Sequence, residues 1–293
     1  MDEPVVLVTG AAGQLGRTLQ DLAPVYPGLR FVFLSKSTLD ISSAEAVSQF
    51  FAQQQPAFCI NCAAYTAVDK AESEREAAMQ INGIAAGTLA AACTSFNCRF
   101  VHISTDYVFA GNAARPYMEE DAVDPVNFYG ESKLQGEQLA AENCPAAIIV
   151  RTSWVYSVHG GNFVKTMLRL MKERESISVV DDQLGSPTYA PDLAAALLTL
   201  VVAAARNPGE WKPGIYHFSN EGITSWYGFA SAIAQKIHAA CRVLPVPTAA
   251  YPTPAKRPSY SGLDKTKIKS VFNVEVPYWE NSLDKALVLL QQS

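Results

Sequence analysis

An apolar run at residues 5–8 enters Thr9-Gly10-Ala11-Ala12-Gly13-Gln14-Leu15-Gly16, after which Leu15, Leu19 and Leu22 recur at helical spacing. The sequence therefore predicts a strand, a glycine turn and a helix in immediate succession, with the glycines spaced G-x-x-G-x-x-G. That context is the one a dinucleotide-binding fingerprint requires. Glycine allows the tight turn and the close approach of a pyrophosphate, and the helix N-terminus presents free N–H groups and a positive dipole end. A plain glycine-rich turn is the alternative. The strand–turn–helix placement favours the cofactor loop, and with it an α/β fold: a Rossmann-type, doubly wound parallel sheet.

The rest of the first half agrees. Strands are expected at residues 31–34, 58–61, 100–104 and 147–151. Between them, Ser42-x-x-Glu45 has the form of a capping box opening a helix through about Gln54. A long helix is expected within residues 74–96 and another from about Phe128. Such alternation points to a parallel sheet covered on both faces. After Thr152 the pattern loosens: helices at 163–174 and 226–240, strands at 177–180 and 215–218. The proline-rich stretch 244–258 is expected to resist regular structure. We expect a dinucleotide-binding domain at 1–152, with returning segments at about 188–220. A smaller α/β domain, from 153–187 and 221–293, would lie at the C-terminal side of the sheet, where ligands bind in doubly wound folds.

Tyr129-Gly130-Glu131-Ser132-Lys133 places a phenol and an ammonium one helical turn apart. A phenol titrates near about 10 in water, and a neighbouring ammonium is expected to lower that value and suit it to general acid–base work. A half-buried tyrosine beside a solvated lysine is the plainer alternative. An NAD site usually offers a carboxylate to the ribose 2′-OH at the end of the second strand. Here that position reads Ser35-Lys36, a hydroxyl and an ammonium suited to a 2′-phosphate. NADPH is therefore expected in preference to NADH.

A net charge of -5 argues against nucleic-acid binding by charge alone. The acidic start Met1-Asp2-Glu3-Pro4 lacks the basic flank of a secretory leader. The longest apolar run, residues 193–205, is too short for a bilayer. A cytoplasmic location, away from membranes, is expected. The six cysteines form no framework, and Cys59-Ile60-Asn61-Cys62, though spaced like a redox or zinc pair, falls on a strand that would turn the two thiols to opposite sides.

Taken together, the glycine loop, residues 61–72 (NCAAYTAVDKAE), Ser104-Thr105-Asp106-Tyr107-Val108-Phe109 and Tyr129-x-x-x-Lys133 resemble the extended short-chain dehydrogenase/reductase family. Arg151-Thr152-Ser153-Trp154-Val155-Tyr156, Asn162-Phe163-Val164, residues 182–188 (DQLGSPT) and residues 252–258 (PTPAKRP) narrow the likeness to its dTDP-4-dehydrorhamnose reductase branch. The resemblance covers nearly the whole chain. It implies hydride transfer from NADPH to the C4 ketone of a dTDP-linked 4-ketosugar. Tyr129 would be the proton donor, Lys133 the ribose ligand that lowers the tyrosine pKa, and Thr105 the hydroxyl that polarises the ketone. It also implies that Gly10, Gly13, Gln14, Leu15, Gly16, Asp40, Ile41, Ala63, Ala64 and Tyr65 line the cofactor, with Asp40 at the adenine. Tyr107, Trp154, Gln183 and Arg257 would contact the sugar nucleotide, Arg257 through its two-pronged guanidinium. Asn82 matches a helix asparagine that supports the proton relay in this family.

Some relatives of this kind dimerise through magnesium held by glutamates, one of them in the first helix. This chain has Arg17-Thr18-Leu19 there and Pro191-Asp192-Leu193-Ala194 near a second such position. Any homodimer is thus expected to form without a metal bridge, and no metal ligands are expected. Two other readings share the pattern. The regulatory β subunit of methionine adenosyltransferase has this fold and acts as a binding partner, against which stands the retention of Thr105, Tyr129, Lys133 and Trp154. A nucleotide-sugar dehydratase would carry Asp-Glu after the threonine, where this chain has Asp106-Tyr107. An epimerase would keep its cofactor bound through turnover.

Overall fold

The computed structural model describes residues 3–292. Met1 and Asp2, the first half of the acidic start, lie outside the described residues.

A 6-stranded parallel sheet runs in the order Gly214–His217, Ile148–Thr152, Arg99–Thr105, Phe58–Asn61, Val5–Thr9, Arg30–Leu34. Its central strands are continuous apolar runs because both faces are covered. Alternation along the strands divides them. On one face Val6, Val8 and Ile60 meet Leu15 and Leu19 of the Gln14–Leu22 helix and Leu193, Leu197 and Val201 of the Ala190–Arg206 helix. On the other, Leu7, Cys59 and Phe100 meet Val47, Phe51, Leu89 and Ala140 from the Ala44–Gln54, Ala85–Ser95 and Phe128–Asn143 helices. Cys59 belongs to the second layer and Cys62 packs against the first. The two thiols thus point to opposite sides, and all six cysteines are free.

Strand order reverses between Val5–Thr9 and Phe58–Asn61. The carboxyl ends of these two strands therefore splay into a crevice, where ligands bind in doubly wound folds. The chain leaves the sheet after Thr152 and returns through the Ala190–Arg206 helix and the Gly214–His217 edge strand. The remaining segments build a separate core in which Tyr156, Val164, Ile177, Phe229, Trp279 and Leu283 pack together. No helix among the described residues is long and apolar enough to cross a membrane.

Three local expectations need correction. The helix cap is Ser43, whose hydroxyl accepts from the Ala46 N–H, while Ser42 Oγ donates to Asp40 Oδ1 at 2.6 Å. The proline-rich stretch is partly ordered: Arg242–Val246 pairs in parallel with Ser176–Val180, Pro245 opposite Val179. A two-stranded pair has only edges, where a missing N–H is tolerated. Finally, the long helix expected within 74–96 is broken by a π turn at Gln80–Ile84. That turn carries buried Asn82, and Gly136 of the Phe128–Asn143 helix lies so close that a Cβ there would collide with the Asn82 carbonyl.

Candidate active site

The crevice at the switch point is a cleft of about 600 Å³. Its floor is the glycine turn. Gly10 has φ +66°, and a Cβ on it would stand 2.6 Å from the Ala63 nitrogen, so only glycine fits against the next strand end. A Cβ on Gly16 would collide with the Gly10 carbonyl, which keeps the first helix turn tight on the loop. Gly13 precedes the helix and has no side chain to satisfy the first N–H groups. A cradle of this kind fits a pyrophosphate. Gly10, Gly13, Gln14, Leu15 and Gly16 line the cleft together with Ser35, Lys36, Asp40 and Ile41 at one end and Ala63, Ala64, Tyr65, Tyr129 and Lys133 at the other. Lys36 is exposed at the rim. The Asp40 carboxyl sits below its ordinary range because the Ser42 hydroxyl and N–H both donate to it.

The sequence reading missed part of this lining. Thr152, Val155 and Gly160-Gly161 also face the cleft. Gln14 crosses to them: its Nε2 donates to the Val155 carbonyl at 3.3 Å, and its Oε1 accepts from Asn162 Nδ2 at 2.8 Å. The Gly160-Gly161 doublet just ahead of a helix was the available signal.

The inner end of the cleft holds the reactive groups. Thr105 ends its strand and Tyr129 opens the Phe128–Asn143 helix, whose cap is Asn127 Oδ1 accepting from the Gly130 N–H at 2.9 Å. A Cβ on Gly130 would strike the Tyr107 carbonyl. Glycine thus lets the helix start press directly on the 105–107 turn. The Tyr107 and Tyr129 rings meet edge-on, 5.5 Å apart at 78°. Burial pushes the Tyr129 phenol up to about 12, against a downward pull from a hydrogen bond with Thr105 and with a further upward push from Asp106. The expected lowering by Lys133 is not among the influences on this phenol. The Lys133 ammonium is bound at 2.6 Å to the Ile103 carbonyl, and its own burial brings it down to about 8, partly offset by Glu137. Glu137, one turn further along, forms a buried two-pronged pair with Arg151 at 2.9 and 2.7 Å. Removing one partner of such a pair typically costs about 3–5 kcal/mol.

Asn82 clamps the loop after the third strand. Its Oδ1 accepts from the Tyr65 N–H at 2.8 Å, and its Nδ2 donates to the Tyr65 carbonyl at 3.0 Å and to Ser132 Oγ at 2.9 Å. In this structure Asn82 fixes the cleft wall to the helix that carries Tyr129.

The expected sugar-nucleotide contacts lie outside the cleft lining and are engaged with each other or with neighbours. The Arg257 guanidinium donates to both oxygens of Asp69, each at 2.8 Å. Trp154, in left-handed backbone geometry at φ +47°, stacks on Trp226 with centroids 3.5 Å apart. Gln183 Nε2 donates to Thr248 Oγ1 at 3.0 Å. Of this set Tyr107 alone touches Tyr129, but Asp69 and Arg257 both act electrostatically on Tyr107, which puts that ion pair at the edge of the site. No group of three or more His, Cys, Asp or Glu side chains among the described residues is placed to hold a metal ion.

The family described as RmlD substrate binding domain matches residues 4–292. A dTDP-4-dehydrorhamnose reductase from Burkholderia thailandensis is 42% identical over 288 residues, covering 94% of this chain and 95% of the relative. The chain belongs to the dTDP-4-dehydrorhamnose reductase family. Two solved structures of that family agree with the fold, each with a TM-score of 0.92 and 40% identity. One, from Clostridium acetobutylicum, is matched over 98% of this chain and 99% of its own. The other, from Bacillus anthracis, is a complex with NADP, matched over 98% and 100%. Members of the dTDP-4-dehydrorhamnose reductase family thus share this sheet, this crevice and the lobe beyond it.

Proposed function

We propose that this chain reduces the C4 ketone of dTDP-4-dehydro-L-rhamnose to dTDP-L-rhamnose with NADPH, in the cytoplasm, as a step towards polysaccharide. The observation that carries the reading is one continuous cleft. It runs from a glycine cradle, past a hydroxyl and an ammonium, to a buried phenol beside Thr105, with Lys133 lining the same end of the cleft. When bound, the cofactor supplies hydride to the ketone carbon. The chain's own residues do the rest. The backbone of the Gly10–Gly16 loop takes the pyrophosphate, and Ser35 and Lys36 take the 2′-phosphate. Lys133 orients the nicotinamide ribose.

Tyr129 delivers the proton to the oxygen as negative charge develops there. Its raised pKa keeps the phenol protonated throughout the neutral range, as an acid for ketone reduction requires. The secondary alkoxide it protonates is a stronger base than the phenolate left behind, so the transfer remains downhill. Thr105 hydrogen-bonds the same oxygen and stabilises its charge. The lobe built from 153–187 and 221–293 holds the sugar nucleotide through Trp154, Gln183 and Arg257, with Tyr107 of the dinucleotide-binding domain contacting the sugar beside them. Self-association, where it occurs, is expected to survive chelation of divalent metals.

The test is NADPH oxidation measured against several nucleotide-linked 4-ketosugars, with Tyr129→Phe as control. Turnover with the dTDP-linked 4-ketosugar, abolished by the variant, is expected. A wild-type protein that binds a methionine adenosyltransferase subunit and turns over none of these sugars would instead be a regulatory partner.

A further inference from the structure

Asp106 lies at the heart of the site and has no part in the mechanism above. It is 3% exposed, and its Oδ1 is 3.0 Å from Thr105 Oγ1. Its other oxygen, Oδ2, is buried without a hydrogen-bond partner. No lysine or arginine among the described residues forms an ion pair with it. The groups that face it are Thr105 and Tyr107 on its own turn, Tyr129 from the helix above and Ser261 from the segment beyond Arg257. None of these carries positive charge. A buried carboxylate with one oxygen unpaired and no cation nearby is costly, and holding a proton removes the cost.

The location of that proton has a chemical consequence. If Asp106 is ionised, it can only accept, so Thr105 must turn its hydroxyl proton towards Asp106 and away from any ketone. If Asp106 is neutral, its own O–H donates to Thr105 Oγ1, and the threonine proton is free to point into the cleft.

We propose that Asp106 is a positioning residue that works as the neutral acid, donating to Thr105 Oγ1 so that the Thr105 hydroxyl directs its proton to the substrate oxygen. The assignment deepens the proposed ketone reduction and rests on it. Burial raises this carboxyl to about 7, with Thr105, Ser261 and the backbone of Asp106 and Tyr107 pulling the other way. The neutral form is therefore the majority form below that pH and is lost above it.

The experiment compares kcat against pH for wild type, Asp106→Asn and Asp106→Ala, with NADPH and the dTDP-linked 4-ketosugar. Wild-type kcat is expected to break downward near pH 7. Asp106→Asn, whose amide always donates, is expected to lose that break and keep only a later one from Lys133, near 8. Asp106→Ala, which leaves Thr105 Oγ1 with only the Tyr107 N–H to orient it, is expected to lose about tenfold below pH 7, the loss of one hydrogen bond, and to show no break near pH 7. Retention of the wild-type break in Asp106→Asn would overturn the proposal. An infrared titration of the protein without substrate supplies a separate arm. A carboxylic-acid carbonyl band that persists to neutral pH, vanishes near pH 7 and is missing from Asp106→Asn is expected. Absence of any such band would also overturn it. A wild type inert towards every 4-ketosugar would sink the proposed function instead, with the infrared arm still deciding the state of Asp106.

Discussion

The two sides of the crevice are built differently. On the cofactor side the backbone is brought close and side chains are kept away: Gly10 and Gly16 leave no room for a Cβ, and about 600 Å³ of cleft stands open beside them. On the side proposed for the sugar nucleotide the polar and aromatic groups are already partnered. Arg257 grips Asp69, Trp154 is stacked on Trp226, and Gln183 is tied to Thr248. The first side is complete as a receptor before anything binds. On the second, the proposed anion site at Arg257 already holds the Asp69 carboxylate. On the proposed assignment, the difference teaches that pre-organisation belongs to the cofactor, with substrate binding set against internal competition.

The largest expected effect falls where the two sides meet. Tyr129→Phe removes the proton but keeps the ring that packs on Tyr107, so kcat should fall by at least about 100-fold, the lower range for a general acid. Cofactor affinity should stay within a few-fold, as fluorescence titration with NADPH would show. A parallel loss in both would mean that Tyr129 builds the cleft and does not merely act in it.

Gly16→Ala probes the cofactor side alone. The added methyl meets the Gly10 carbonyl, so the loop must shift. NADPH binding should weaken by tenfold or more, about 1.4 kcal/mol, while KM for the sugar nucleotide at saturating NADPH changes little. Arg257→Met probes the other side. It removes the guanidinium but keeps length and apolar bulk. KM for the dTDP-sugar should rise about tenfold, the lower end for a charge-assisted hydrogen bond, with the NADPH dissociation constant unchanged. If Arg257→Met left KM alone, the Asp69–Arg257 pair would be a lobe-to-lobe tie and no anion receptor.

The same contrast governs what the sequence made legible. The cofactor side is local. A glycine spacing of a few residues, set between a strand and a helix, points to the fold class, and the cofactor residues that the resemblance implies all line one cleft with it. The Tyr129–Lys133 pair is local too, being one helical turn. Its electrostatics were not legible, because they depend on depth and on the Ile103 carbonyl, which is 30 residues away in sequence. The substrate side is assembled from afar. Arg257 finds Asp69 across 188 residues, and no periodicity announces such a meeting. Asp106 was passed over for the same reason. The sequence shows it next to Thr105, but that its second oxygen has no partner is a property of the packed interior alone.

The smallest effect tests cofactor choice. Lys36 is exposed at the cleft rim, so its attraction for a 2′-phosphate is screened by water. An exposed charge pair contributes up to about 1 kcal/mol, a factor of about five. Lys36→Ala should therefore lower kcat/KM for NADPH by that factor and leave NADH unaffected, and added salt should shrink the wild-type preference towards the variant's. The hydroxyl of Ser35 would supply what selectivity remains, since neutral hydrogen bonds are little affected by salt. Equal kcat/KM for both cofactors in the wild type would remove the 2′-phosphate reading altogether. In that case the receptor on this side would be the glycine backbone alone, which both cofactors satisfy equally.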